Sequence, residues 1–405
     1  MSAIFDQPRL LFNGDATSKT AMAYAALAGG PAGVTPFAAL WLRAHGAPVT
    51  ELGLLIALPL MARMILARPL ALWASRFSES WKPISLLCGV AALASLWALS
   101  VRGIWPCIVA WWAICFSVGA CTPLMDTATL DSVSAGGEGL LAKAKSAGAI
   151  AYMGANIAVG FLFARLGAKG VVIWAGLTAL IAATVIPRLM LKAPALYCSR
   201  RADRARSHNK RSTKSSANLL IVLVATAFIE ASHGLHVIAM VSWAKRGYDP
   251  SLSGMLWATG IVTDIVFLTF MGPLRARIGP GRMLVLAGLA AVVRWAGFAT
   301  VPALPIMFVL QVLHALSFTA TYLASVELVH KLSDDQQRLS TQAMNWAFST
   351  GLGTGLSVLC AGPLYAALGV QGYWVMSGVA AIGLILAIVS TLSLEGVLPR
   401  NHGLL

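Results

Sequence analysis

The chain's chemistry-bearing residues stand where charge is costly. Glu230, His233 and His236 lie in the stretch FIEASHGLHVIAM (228–240), inside an apolar run from Leu219 to Trp243. Arg63, Asp264, Arg294 and His314 occupy other apolar runs. Glu230, His233, Arg63, Asp264, Arg294 and His314 lie about 11 to 15 residues in, which at about 1.5 Å rise per residue is near the middle of a bilayer, and His236 extends the face outward. An ionisable side chain at that depth normally meets a partner or a water-filled path. Glu230 and His233 are three residues apart and share one helix face. A carboxylate and an imidazole so placed can exchange a proton near neutral pH; the alternative is a packing hydrogen bond between them. Arg63 carries a planar fork that matches a carboxylate and keeps its charge. Asp264 is a candidate to release Arg63 or to carry a proton. A permanent Arg63–Asp264 pair, or neutralisation of Asp264 by Arg294, is the structural alternative. Gln311, one turn from His314, is a candidate hydrogen-bond donor. Phe37, Trp41, Trp257, Phe318 and Tyr322 are candidates for the walls of an apolar pocket, although such aromatics more often pack or face lipid.

The elements that must position these residues are membrane helices. The chain has 405 residues, of which 58% are hydrophobic and only 11% charged, and its mean hydropathy is +0.77. That composition cannot cover a soluble surface. Twelve apolar segments long enough to span a bilayer are read from it, and the whole is expected to be an all-α membrane protein. The first twenty residues contain acids and lack a continuous apolar core, so they read as a cytosolic arm rather than a signal peptide. The net charge of +15 belongs to topology rather than to nucleic-acid binding. With the N-terminus in the cytoplasm, 21 Lys/Arg fall on the cytoplasmic side and six on the outer side. This positive-inside bias places both termini in the cytoplasm of a cell (inner) membrane protein. The six cysteines show no paired spacing, so neither a disulfide framework nor a metal site is expected.

The segment 187–218 holds nine Lys/Arg against one Asp and divides the spans six and six. The expected organisation is an arm at 1–20, a bundle at 21–187, a basic linker at 188–217, a second bundle at 218–394 and a tail at 395–405. The two bundles repeat each other. Shifted by 201 residues, Gly33, Gly46 and Gly53 fall on Gly234, Gly247 and Gly254, Arg76 on Arg277, and Asp126 on Glu327. After one insertion, GFLFARLGAKG (160–170) aligns with GPLYAALGVQG (362–372), identical at six of eleven positions. Parallel six-span repeats about a basic loop are the layout of transporters that rock two bundles around a midplane site.

Over nearly the whole chain this pattern resembles the major facilitator superfamily. Its loop signature, G-x-x-x-D-R-x-G-R-R, is similar to GPLRARIGPGR (272–282), with Ala276 in place of the acid. It is also similar to ALWASRFSESWK (71–82), which keeps Arg76 but has Ser75 for the acid. TPFAALWLRAHGAPVTELGLLIALPLMAR (35–63), PLMD (123–126), RW (294–295) and QVLHALSF (311–318) resemble the phenylpropionate permease branch. That branch is distantly related to lactose permease, and the resemblance implies a proton-linked importer. It also implies that loop arginines engage acids on the fourth and tenth spans. Two latches, Arg76 with Asp126 and Arg277 with Glu327, are therefore expected at the cytoplasmic gate; static bridges within each bundle fit equally well. Glu327 has a rival role as a proton carrier beside His314 and Arg294.

The expectation is a secondary transporter with two six-helix pseudo-symmetric bundles. It takes up a small organic solute with protons, with a carboxylate-bearing compound favoured by Arg63. The expected substrate contacts are Arg63, Phe37, Trp41, His233, Trp257, Gln311, His314, Phe318 and Tyr322. The expected proton-coupling groups are Glu230, His233, Asp264, Arg294, His314 and Glu327. Proton-driven export is the alternative, and a transporter-like sensor a remoter one. No G-x-x-x-x-G-K-[ST] or H-E-x-x-H motif occurs, so neither an enzyme nor a cofactor is expected. The partners are lipid, protons and the solute, and the chain is expected to act as a monomer. The first span's LAGGPAG (27–33) is expected to unwind locally, and GLGTGLS (351–357) to permit close helix packing.

Overall fold

A computed structural model of the chain describes residues 14–131, 137–190, 213–333, 341, 344–345 and 347–395. Most of the 1–20 arm, most of the basic linker and nearly all of the tail lie outside the described residues. Among those described, every regular element is helical. Nine helical stretches are long and apolar enough to cross a membrane, or ten with the bent pair Ser18–Val34 and Ala38–Ala44 taken as one span. The last stretch, Ala347–Leu394, contains two helices, ending and restarting around a short turn at Gly369–Gln371. Adding Val49–Ile65 with its continuation Ala67–Ala74 gives twelve spans in chain order.

Span 1 is Gly14–Val34 with Ala38–Ala44, and span 2 is Val49–Ile65 with Ala67–Ala74. Spans 3 to 6 are Trp81–Ser100, Ile104–Asp131, Gly137–Leu166 and Lys169–Met190. Span 7 runs from Thr213–Ala231 through a tight turn at Gly234–Ile238 into Ala239–Lys245. Spans 8 and 9 are Pro250–Phe270 and Pro280–Ala299. Span 10 joins Leu304–Val312 to Thr321–Leu332 through a widened π turn at Ala315–Ala320. Span 11 opens with a second π turn, Ala347–Thr354, and continues as Gly355–Leu368; span 12 is Gly372–Glu395.

The internal repeat is written into the backbone. Spans 1 and 7 break at equivalent places, the first by 48° between Val34 and Ala38, the second at Gly234–Ile238. Span 1 therefore stays helical through the glycines of LAGGPAG, and unwinds only after them at 35–37. The Trp174 indole of span 6 donates to the Gly29 carbonyl at 2.8 Å there. The turns that follow spans 1 and 7 place Gly46 and Gly247 at φ 92° and 79°. Those after spans 5 and 11 place Gly167 and Gly369 at φ 62° and 57°. L side chains avoid this left-handed region, so the glycines recur where the turns recur.

The two halves meet through span 2 against span 11 and span 5 against span 8. Both crossings are closest at the end of the molecule opposite Gly14 and Glu395. There Gly53 lies against the Val358 and Leu359 carbonyls, and Gly362 against those of Val49 and Thr50. Gly254 lies against the Asn156 carbonyl, and Gly160 against Pro250 and Ser251. Small residues let helix backbones approach closely where lipid offers no hydrophobic drive. Towards the other end, the Met64 and Met61 side chains pack on Gly351 and Gly355. Gly353 lies against the Ala227 carbonyl of span 7.

Candidate functional site

Two charge centres occupy repeat-equivalent places, one in each half. In the N-terminal half, Arg63 lines a pocket between spans 1, 2 and 4. Its other lining side chains are apolar except for Thr35, Cys115 and the Trp111 indole. Arg63 makes no hydrogen bond or ion pair with any described residue. Thr35 stands at the break of span 1, where the backbone leaves its helix beside the cavity.

In the C-terminal half the ionisable groups are tied together. Arg294 is 1% exposed. Its Nη2 donates to Gln311 Oε1 at 2.7 Å, and its Nη1 to His314 Nδ1 at 3.0 Å and to Ser317 Oγ at 3.3 Å. Its guanidinium lies 4.3 Å from the centre of the Trp295 ring, a cation–π contact. Arginine only donates, so His314 Nδ1 accepts and its proton sits on Nε2. That nitrogen faces Asp264 Oδ2 at 3.4 Å, while Thr319 donates to Asp264 Oδ1 at 2.7 Å. The result is a relay from guanidinium through imidazole to carboxylate. The π turn that carries Ser317, Phe318 and Thr319 begins one residue after His314, and a widened turn of this kind re-aims successive side chains.

The Glu230–His233 pair on span 7 is not hydrogen-bonded side chain to side chain. His233 Nδ1 contacts the Ile229 carbonyl at 3.2 Å and Nε2 contacts Ser317 Oγ at 3.2 Å. With Nδ1 as the donor, Ser317 gives its proton to His233 and accepts from Arg294. Glu230 is 5% exposed, and its carboxylate has no hydrogen-bond or ion-pair partner among the described residues. His236 Nδ1 lies 3.3 Å from the Tyr373 hydroxyl, and its ring stacks on Trp257 at 5.0 Å.

Several expected pairings and contacts take another form. Arg63 and Asp264 are not paired to each other. Neither latch is formed: Arg76 and Arg277 are exposed, and no ion pair joins them to the acids. Asp126 instead accepts from Tyr24 at 2.7 Å and pairs with Lys145 at 2.9 Å, joining spans 1, 4 and 5. Glu327 pairs with Lys331 on its own helix at 2.9 Å, not with His314 or Arg294. Gln311 is fully used by Arg294 and by the Leu256 carbonyl, to which it donates at 3.0 Å. Phe37 and Trp41 are packed away from any opening. Trp41 stacks on Trp111 at 4.9 Å and lies tilted against His45 at 4.2 Å, and Phe37 stacks on Phe163 at 6.1 Å. Trp111 lines the cavity in place of Trp41. Phe318 is exposed and stacks on His314 at 5.2 Å, and Tyr322 is exposed one turn on.

Ser317, Thr319, Tyr373, Tyr24, Lys145 and Gly119 were not singled out from the sequence. Ser317 alone carried a signal there, three residues after His314 and so on its face.

Residues 22–376 match the model of the MFS_1-like family. The chain is 26% identical over 366 residues to the probable 3-phenylpropionic acid transporter of Escherichia coli (strain K12), covering 85% of this chain and 90% of that one. Solved structures share the fold. A bacterial homologue of the human lysosomal transporter Spinster superposes with a TM-score of 0.70 at 14% identity, over 94% of this chain and 96% of that one. The nucleoside transporter NupG superposes with a TM-score of 0.72 at 12% identity, over 94% and 99%. These proteins are transporters rather than enzymes. With the family model matched across most of its length and twelve apolar spans to carry it, this chain belongs to the MFS_1-like family of multi-pass membrane transporters.

Proposed function

We propose that the protein is a proton-coupled importer of small organic carboxylates, aromatic acids among them. It works as a monomer by alternating access, in the inner membrane, with both termini in the cytoplasm. The observation that carries the proposal is the contrast between its two charge centres. Arg63 is a cation without a partner among the described residues, in a largely apolar cavity, which suits an incoming carboxylate. Asp264 is an anion already held by His314 and Thr319, in a relay that a proton can enter and leave. The 3-phenylpropionic acid named for the Escherichia coli relative combines one carboxylate with one aryl ring.

In the cycle we assign, a proton from outside neutralises Asp264 and loosens its hold on His314. The solute carboxylate takes Arg63, and the bundles rock about the span 2–11 and 5–8 crossings. Release of the solute and of the proton to the cytoplasm returns the carrier. Glu230, buried without a partner among the described residues, is the second proton candidate. Each step requires the ligand to bind one state better than the other. With the halves clasped at the end opposite the termini, the described conformation is assigned to the inward-facing part of the cycle, and the unformed latches of Arg76 and Arg277 agree with that assignment.

The test is uptake of a panel of aromatic and aliphatic carboxylates into proteoliposomes, with and without an inward proton gradient. The wild type is expected to accumulate an acid only with the gradient. Arg63→Gln is expected to raise KM at least about tenfold by removing a charge-assisted hydrogen bond. Accumulation that ignores the gradient, or an Arg63→Gln variant with wild-type KM, removes the proposal and leaves the fold. Acid extrusion driven by the gradient selects export instead.

A further inference from the structure

The unpaired state of Arg63 has a structural cause that the repeat makes visible. Shifted by 201 residues, Arg63 falls on Asp264, Ala113 on His314, Val118 on Thr319 and Gly119 on Ala320. In the C-terminal half, Thr319 and His314 hold the carboxylate at 2.7 and 3.4 Å. Their counterparts Val118 and Ala113 offer no polar side-chain atom, so the half that carries the cation lacks the groups that hold the anion. Gly119 differs in size. Arg63 Nη1 occupies the space a Cβ at Gly119 would fill, with Cζ and the Cδ methylene of the same side chain close behind. The obstacle is the tip of a flexible side chain rather than backbone. A methyl there displaces the guanidinium without parting spans 2 and 4.

We propose that Gly119 is a positioning residue. It seats the Arg63 guanidinium against span 4 for the substrate carboxylate, in a site built by the N-terminal half alone for a monoanionic acid with an apolar body. The inference rests on the carboxylate reading above and adds a residue and a narrower class to it. Arg63 is the one charged side chain among the cavity's lining residues, and no carboxylate lines it. A second carboxylate or an ammonium on the ligand therefore enters an apolar wall unpaired, which binding sites reject strongly.

The experiment uses the full chain, for equilibrium binding in nanodiscs and for uptake in proteoliposomes. The probes are 3-phenylpropionate, phenylalanine (which adds an ammonium) and phenylsuccinate (which adds a carboxylate). Gly119→Ala is expected to raise Kd and KM for 3-phenylpropionate at least about tenfold with Vmax within about twofold, the signature of lost uniform binding. Gly89→Ala, at a span 3 glycine whose Cβ would meet nothing within 4 Å, is the control and is expected to match the wild type. Against Arg63→Ala, which leaves nothing beyond Cβ for the methyl to displace, adding Gly119→Ala is expected to cost no further affinity. That double-variant comparison separates displacement of the guanidinium from general damage to the helix pair.

Wild-type affinity in Gly119→Ala, or an equal penalty on the Arg63→Ala background, overturns the positioning role. Binding of phenylalanine or phenylsuccinate as tight as that of 3-phenylpropionate overturns the class. Wild-type affinity in Arg63→Gln, or no binding of any acid by the wild type, overturns the carboxylate reading itself and is a distinct result.

Discussion

At the scale of single residues, partners rather than depth separate the ionisable groups. Arg63, Asp264, Arg294 and His314 all lie inside spans, yet of the four only Arg63 has no hydrogen-bond or ion-pair partner among the described residues. Arg294 is held by three side chains and a ring, so its charge organises its neighbours. Leaving one member of such a buried network without its partner is costly. Asp264→Asn removes the titrating group but keeps an acceptor for Thr319 and an amide beside His314. It is expected to abolish gradient-driven accumulation while solute counterflow stays within about threefold of wild type, the difference between a coupling residue and one that only stabilises. Loss of both activities assigns Asp264 to the structure of the site. Glu230→Gln, measured in the same two assays, is expected to reduce accumulation less than Asp264→Asn, because Glu230 is not bonded into the relay.

At the scale of elements, the breaks and the glycines matter most. Spans 1 and 7 interrupt their helices at equivalent points, and broken helices in a membrane are tolerated where they face protein or a cavity. The four glycines at the closed end are repeat-related in pairs, Gly53 with Gly254 and Gly160 with Gly362. Their neighbours across the crossing are backbone atoms of the other half, so a bulky side chain cannot be absorbed by a rotamer change. Gly160→Trp with Gly362→Trp is expected to wedge both crossings apart. Spin labels at Arg102 and Thr300, one in each half, would report a longer and broader distance, and uptake should fall at least about tenfold because closure is part of the cycle. An unchanged distance distribution removes the role of these glycines as the closed gate.

At the scale of the whole molecule, the charge distribution and the pseudo-symmetry define what the carrier is. With 21 of its Lys/Arg on the side of the termini and six on the other, the chain is expected to insert with its termini in the cytoplasm. A green fluorescent protein fused after Leu405 is expected to fluoresce and alkaline phosphatase at the same place to be inactive; the reverse pattern inverts the proposed direction of every step. The two halves share one framework but differ in chemistry. Each presents an ionisable group on its second helix facing its fourth, and one half satisfies that group internally while the other leaves it open.

The sequence by itself determined the class of molecule, the number of spans, the repeat and the identity of nearly every buried ionisable residue. Those properties follow from composition and spacing, because a bilayer demands long apolar helices and makes each exception conspicuous. Only the tertiary structure decided the partners. Hydrogen bonds such as Arg294–Gln311 and Asp264–Thr319 join residues on different helices, and helix rotation about its axis leaves no trace in linear spacing. For the same reason Phe37 and Trp41 looked like pocket walls, yet they turn inward to pack. Gly119 looked like one more small residue in an apolar run until Arg63 was found in the space its side chain would have filled. An absent side chain acquires meaning only from the neighbour that takes its place.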